Sequence, residues 1–307
     1  MYTKESLIQQ LEQLGMDRQG TLLIHSSMKS IGEVEGGADT VLDAFSDYMK
    51  EGLLVLPTHT WSTINADNPV FRMETSSCCV GILPEIFRKR PGVVRSWHPT
   101  HSVAALGRDA EAFTKDDHLF DTPCARGSAW GKLLDRKATI LLVGVDLKRN
   151  TFVHGVEEWV DIPGRMTDEH EMLYTVLPDG SQISVPSRRH CGLPWSEHFW
   201  KVDEVLVREG AMRKGKLGDA VVRVCDATKT AEVITEMLKE NPDLFSDNEP
   251  FHSPNYEVDL VGMSHEAYLR NEARYKLQSE LLVAEEQVAE GKQLLDHGQV
   301  ISNIREE

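Results

Sequence analysis

The sequence predicts an α/β fold. Short apolar runs, Thr21-Leu-Leu-Ile24, Gly52-Leu-Leu-Val-Leu-Pro57 and Thr139-Ile-Leu-Leu-Val-Gly-Val145, have the length and character of buried strands. A polar or small-residue loop follows each run, and segments with helical spacing come next. The chain has 307 residues, enough for one large domain or two small ones with a real core.

The elements justify themselves in order. Leu7, Ile8, Leu11 and Leu14 recur at helical spacing and Gly15 closes the run. The strand at 21–24 delivers the loop His25-Ser-Ser-Met-Lys-Ser-Ile-Gly32 and the turn Glu35-Gly-Gly37; a helix follows with Val41, Leu42, Phe45 and Met49 on one face. Strand, small-residue loop and helix is an arrangement that gathers backbone N–H groups around an anion. It is neither a Walker A loop nor a G-x-G-x-x-G turn. The strand ending at Pro57 leads into Thr58-His-Thr-Trp61 and a polar loop with Asp67-Asn-Pro69. Residues 80–90 read as a helix stopped by Pro91-Gly92. The loop Arg95-Ser-Trp-His-Pro-Thr-His-Ser102 gathers two imidazoles and a guanidinium, and 102–107 returns as a strand. Pro178-Asp-Gly180 between two alternating runs predicts a hairpin. Residues 196–209 are expected to be helical, with a strand near 216–224 and a helix near 226–240. From about 266 the pattern changes. Leu277, Leu281, Ala284, Val288, Gly291 and Leu295 alternate steps of four and three, the seam of a long helix or helical hairpin.

Composition narrows the function classes. A formal net charge of −16 argues against nucleic acid as a partner and favours a cationic ligand. No apolar run approaches the roughly 20 residues of a membrane span. No apolar core follows Met1-Tyr-Thr-Lys-Glu-Ser6, so a cytoplasmic location is expected. The five cysteines, Cys78, Cys79, Cys124, Cys191 and Cys225, contain no C-x-x-C pair. Neither a zinc framework nor a disulfide scaffold is indicated, and free thiols are expected.

The stretch Asn150–Glu158 holds the candidate chemistry. Asn150 or Thr151 can cap a helix that starts just beyond the strand at 139. His154 and Glu157 lie three residues apart and so share a face of that helix. A carboxylate beside an imidazole orients the ring, stabilises its protonated form and leaves the other nitrogen to take a proton from a substrate. Carboxyl ends of strands in open α/β sheets are also where ligands gather. On this segment alone, a surface His–Glu pair is the competing reading.

An ordered set of motifs adds to this. It comprises His25-Ser-Ser, Gly32, Gly36-Gly37, Pro57-Thr-His-Thr60, Asp67-Asn-Pro69, Gly81, Pro84-Glu85 and Arg88, then Pro91-Gly92, Arg95-Ser-x-His-Pro-x-x-Ser102, Leu142-x-Gly144 and Asn150-Thr-x-x-His-x-x-Glu157. Together they resemble the aminoglycoside 3-N-acetyltransferase, or antibiotic N-acetyltransferase, family. The resemblance runs from about residue 4 to about 246. It implies an α/β/α sandwich distinct from the GNAT fold, as a domain over 1–260 with an appended helical segment over 261–307. It also implies acetyl-CoA as donor, no metal, and transfer to the 3-amino group of a 2-deoxystreptamine ring, giving antibiotic resistance.

Carried over by position, His154 resembles the family's general base and Glu157 its partner, beside the substrate. His25, Ser26, Ser27, Met28, Lys29, Ser30 and Ile31, with Gly36 and Gly37, resemble the site of the pantetheine and phosphates. Thr58 matches a threonine close to the acetyl thioester, a donor for the oxyanion. Arg95, Ser96 and Ser102 belong to a motif near the cofactor, and His98 shares it in a catalytic or a structural role. Asp67 resembles an acid on the aminoglycoside side. The C-terminal seam suggests a homo-oligomer.

Three other readings remain at this level. A same-fold enzyme can acetylate another amine. A metal-dependent hydrolase can be built if His25, His59, His98, His101 and His154 converge on an ion. A non-catalytic CoA-binding module can act through the helical tail.

Overall fold

The computed structural model describes residues 1–192 and 195–249, together with Ala273. The chain divides into two compact units, Met1–Gly262 and Met263–Glu307. Apart from Ala273, the helical seam and the oligomer expected of it lie outside the described residues.

The first unit begins with α1 (Lys4–Gln13), β1 (Thr21–Ser26), α2 (Ala38–Tyr48) and β2 (Leu53–Pro57). There follow β3 (Val70–Arg72), α3 (Ile82–Phe87), β4 (Val94–Arg95), β5 (Val103–Gly107), α4 (Ala110–Thr114) and α5 (Ala129–Asp135). Next come β6 (Thr139–Val143), α6 (Thr151–Val160), β7 (Glu171–Val176) and β8 (Gln182–Ser187). The last elements are α7 (Asp203–Arg208), β9 (Met212–Leu217), β10 (Ala220–Asp226) and α8 (Ala227–Glu240).

Seven strands form one sheet in the order β4-β5-β2-β1-β6-β10-β9. At its centre β1 runs parallel to β2 on one side and to β6 on the other. The flanking pairs β2–β5, β4–β5, β6–β10 and β9–β10 are antiparallel. The central strands carry apolar runs, Leu22–Ile24, Leu53–Leu56 and Ile140–Val143, because both faces are covered. Leu22, Ile24, Leu54, Leu56, Leu141 and Val143 pack against Leu7 and Leu11 of α1, Val41, Leu42 and Phe45 of α2, and Leu83 and Phe87 of α3. Their alternates Leu23, Leu53, Val55, Ile140 and Leu142 pack against Trp130 and Leu133 of α5, Phe152, Val153 and Val156 of α6, and Ile234 and Met237 of α8. Helices on both faces of the sheet make the expected α/β/α sandwich. A second sheet, β3-β7-β8, contains the hairpin predicted at Pro178–Gly180.

Local expectations are adjusted in three places. The single strand near 216–224 is a hairpin of β9 and β10, because Gly218 (φ 60°) reverses the chain there. The helix expected over 80–90 is confined to α3. Asn150 precedes α6 but makes no side-chain cap. A 3₁₀ turn at Leu147–Arg149 feeds the chain in, and the Asn150 N–H donates to Leu147 O at 2.8 Å.

The site lies at the carboxyl ends of β1, β2 and β6. From β1 the chain leaves to β2 on one side and later to β6 on the other, so the loops after these strands part and leave a crevice. Ser27 N–H donates to Val143 O at 2.9 Å, pinning the loop after β1 to the end of β6. Gly144 (φ 64°) makes this possible, since a Cβ there would stand 2.2 Å from Ser30 Cβ.

Candidate active site

The crevice is a cleft of about 860 Å³, bordered by the ends of all three parallel strands through His25, Ser26, Pro57 and Gly144. His154 on α6 forms part of its wall. The imidazole Nδ1 lies 2.9 Å from Glu157 Oε2, the pairing that their spacing on one helix face predicts. Arg165 grips the same carboxylate with both arms, Nε to Oε1 at 2.9 Å and Nη2 to Oε2 at 2.9 Å. Arg165 Nη2 also lies 3.2 Å from His154 Nδ1. A guanidinium only donates, so the consistent arrangement has Nδ1–H donating to Glu157 and Arg165 donating to the carboxylate. The remaining ring nitrogen, Nε2, is then the one left for a substrate.

Burial decides the roles. The side chains of Glu157 and Arg165 are 2% and 3% exposed, whereas that of His154 is 20% exposed. Burial by itself would raise the Glu157 pKa, but bonds and charge from His154 and Arg165 outweigh it and hold the carboxyl below its ordinary value. Glu157 is therefore an anion that orients the ring, reaching the cleft only through His154. Arg165 is locked in turn by its bond to Cys191 O at 2.9 Å and by stacking 4.6 Å over Trp195.

A second pair stands beside the first. The His190 ring stacks on His154 with centroids 4.7 Å apart and an interplanar angle of 28°. His190 Nε2 lies 2.6 Å from Glu158 Oε1, which also accepts the Cys124 N–H at 2.9 Å. Burial lifts the Glu158 carboxyl to about 7 and pushes His190 well down. His59 and His101, centroids 4.6 Å apart, continue the cleft wall, and burial pushes both well below the ordinary histidine value. Burial takes His25 down to about 3. These neighbours are neutral at physiological pH, so none of them places a positive charge against His154.

The sequence-predicted residues divide into two groups. His25, Ser26, Ser27, Met28 and Lys29 border the cleft. Ser26 Oγ and the Nε2 atoms of His25 and His59 are buried without a protein partner, polar atoms suited to a ligand. Ser30 turns away to Ser27 Oγ at 2.9 Å and Gly144 O at 3.2 Å, and Ile31 is in the core. Gly36 and Gly37, at φ 73° and 65°, turn the chain into α2 and do not border the cleft.

Thr58, Arg95, Ser96 and Ser102 also stand behind the wall. Thr58 is fully buried, and its Oγ1 meets Ser102 Oγ at 2.9 Å and Arg95 Nε at 3.2 Å. Arg95 donates further to Thr58 O, Met73 O and Ser76 O at 2.9, 3.0 and 2.7 Å, tying the 73–76 segment to the end of β2. Ser96 Oγ accepts the Val103 N–H at 3.1 Å. The Thr58 hydroxyl, expected near the thioester, is engaged in a buried hub with Ser102 and Arg95. His98 Nδ1 accepts the N–H groups of Thr100 and His101 at 3.2 and 3.0 Å. Asp67 is exposed on the Asn65–Asn68 turn and does not border the cleft. The five imidazoles of the metal reading do not form a ligand set. Among the described residues the metal-type donors that converge are those of Cys124, Glu158 and His190.

Sequence reasoning missed Arg165, His190, Lys148 and Arg149. Lys148 and Arg149 immediately precede Asn150, the residue before α6, and join Lys29 at the cleft as a cationic rim suited to phosphates, with Lys148 also paired to Glu197. Their adjacency to the Asn150 motif was the available signal; Arg165 and His190 have none in sequence. Among the described residues, no carboxylate lines the cleft.

An imidazole held by a buried anion, a loop with unpartnered polar atoms and a cationic rim suit a group-transfer enzyme with a phosphate-bearing donor. The family model for aminoglycoside 3-N-acetyltransferases matches residues 23–239, and the chain belongs to that family. It is 32% identical over 199 residues to aminoglycoside N(3)-acetyltransferase VII of Streptomyces paromomycinus, covering 59% of this chain and 68% of the relative. It is 28% identical over 269 residues to the SPbeta prophage-derived aminoglycoside N(3')-acetyltransferase-like protein YokD of Bacillus subtilis (strain 168), covering 78% and 93%. Among solved structures, AAC(3)-IVa in complex with a gentamicin superposes with a TM-score of 0.70 at 26% identity over 86% of this chain and 97% of that one. The AAC-IIIb binary complex with CoASH gives 0.69 at 25% identity, over 78% and 97%. The chain is thus an acetyl-CoA-dependent N-acetyltransferase, and among its described residues no helix is long and apolar enough to cross a membrane.

Proposed function

We propose that the protein acetylates the 3-amino group of the 2-deoxystreptamine ring of an aminoglycoside by direct transfer, with His154 as general base. The reading rests on one observation above all: His154 stands in the cleft wall with Nδ1 turned to the buried Glu157. His154 Nε2 removes a proton from the acceptor amine as its nitrogen attacks the thioester carbon. The C–N bond forms, the C–S bond breaks, and the imidazolium returns its proton to the departing CoA thiolate. No covalent enzyme intermediate is needed if the cleft holds both reactants together. Lys29, Lys148 and Arg149 serve the donor's phosphates, while Ser26 and His25 offer free polar atoms near it. We assign residues 1–260 to this acetyltransferase domain and 261–307 to an appended segment.

Purified enzyme, acetyl-CoA and an aminoglycoside panel, followed by thiol release and product mass, test the reading. The expected result is a gain of one acetyl group, with kcat reduced about 10²–10⁴-fold in His154→Ala. Full activity in His154→Ala removes the base assignment. No acetylated aminoglycoside, with turnover of other amines, moves the acceptor to another class.

A further inference from the structure

Beside the catalytic base lies a donor set that the transfer reaction does not use. The Cys124 thiol, a Glu158 carboxylate oxygen and a His190 ring nitrogen all lie within 4.8 Å of one another. They come from three separate segments: the loop before α5, the C-terminal half of α6 and the segment after β8. Glu158 Oε2 and the Cys124 side chain are buried; the Thr122 side chain bonds the carboxylate and the Cys124 thiol donates to Thr151 O at 3.8 Å. His190 and Pro123, the neighbour of Cys124, border the cleft, so one side of the cluster faces the reactants.

We propose that Cys124, Glu158 and His190 form a site for a thiophilic divalent cation, Zn²⁺, whose binding inhibits acetyl transfer. One sulfur, one oxygen and one imidazole nitrogen suit a borderline-soft ion rather than Mg²⁺ or Ca²⁺. Three protein ligands leave a fourth position open toward the cleft. On binding, the Cys124 thiol releases its proton to solvent, the proton between His190 Nε2 and Glu158 Oε1 leaves to solvent or moves to His190 Nδ1, and that hydrogen bond gives way to two metal bonds. The inhibitory consequence rests on the acetyl-transfer reading. The His190 ring lies against His154 at 4.7 Å, so a dication there sets positive charge beside the imidazole that must accept a proton. The same charge repels an ammonium-bearing acceptor.

The test uses the full chain, stripped with a chelator and titrated calorimetrically with Zn²⁺, beside Cys124→Ser. Thermal melting controls for folding of the variant. Wild type is expected to bind one Zn²⁺ at the cluster and to lose activity as the site fills. Cys124→Ser should keep its zinc-free rate within about twofold, bind Zn²⁺ at least about tenfold more weakly and resist inhibition in proportion. With Co²⁺ as the probe, wild type should show a thiolate-to-metal charge-transfer band that the variant lacks. Equal Zn²⁺ affinity in both proteins, no binding to wild type, or full occupancy without loss of rate overturns the proposal. Binding does not depend on turnover. Failure of the acetyl-transfer reading would appear instead as no thiol release in zinc-free wild type.

Discussion

Glu157 occupies a position where one carboxylate serves an imidazole and a guanidinium. Its oxygens receive His154 Nδ1 and both arms of Arg165, all at 2.9 Å. Replacing it with Gln removes the charge that stabilises a protonated His154, and kcat is expected to fall on the order of 10²-fold. It also leaves the Arg165 guanidinium buried beside a neutral amide, which costs about 3–5 kcal/mol. The double variant Glu157→Gln/Arg165→Met removes both charges. It should regain most of the stability in denaturant titrations while its activity stays low. If it is no more stable than the single variant, the ion pair is not what the substitution broke. Thr58 gives the opposite pattern. With its hydroxyl bound to Ser102 and Arg95, Thr58→Val should cost about 1–3 kcal/mol in stability and leave kcat within about tenfold. A kcat loss of about 10²–10³-fold at unchanged stability would restore Thr58 as an oxyanion donor.

At the scale of elements, the loop after β1 is held in place by the end of β6. The contact depends on Gly144, whose φ of 64° disfavours any side chain and whose position leaves no room for a Cβ beside Ser30. Gly144→Ala should push the Ser27–Ser30 turn away and raise KM for acetyl-CoA more than it lowers kcat in initial-rate measurements. An unchanged KM would show that this turn does not carry the donor. The same elements mark how far the sequence was legible. The strands β1, β2 and β6 stood out because central strands covered on both faces need uninterrupted apolar runs. The pair His154–Glu157 stood out because three residues on a helix bring two side chains to one face. Arg165 and His190 did not, because they reach the site from irregular segments whose position depends on tertiary packing. Thr58, Arg95 and Ser102 were legible as a motif but not by role. A motif records that residues belong together, whether they face the ligand or hold the wall behind it.

For the whole molecule, the interior is rich in uncharged imidazoles, and this makes stability depend on pH. His25, His59 and His98 are 6%, 3% and 1% exposed. Burial lowers His25 to about 3, His98 to about 4 and His59 well below its ordinary value. An unfolded chain takes up these protons as pH falls through about 6.5, whereas the folded chain does not. The unfolded state therefore binds more protons below that point, and stability falls as the solution is acidified. Each imidazole contributes up to about 1.4 kcal/mol per pH unit, or about 2 kcal/mol by pH 5. Asp117 acts in the other direction. Burial raises its carboxyl from 3.8 to about 6, so the folded chain holds that proton more tightly and its contribution declines as pH rises through this range. Glu158, raised by burial to about 7, acts the same way. These two carboxyls only partly offset the imidazoles, which also include His101 and His190, both pushed well down by burial. Denaturant titrations at pH 8, 6.5 and 5 should show similar stability at the first two and a marked loss at the third. His98→Asn keeps an acceptor for the Thr100 and His101 N–H groups but cannot titrate, so it should flatten the acid limb by about one imidazole's share. Stability unchanged between pH 8 and 5 would mean that these rings do not stay neutral in the fold.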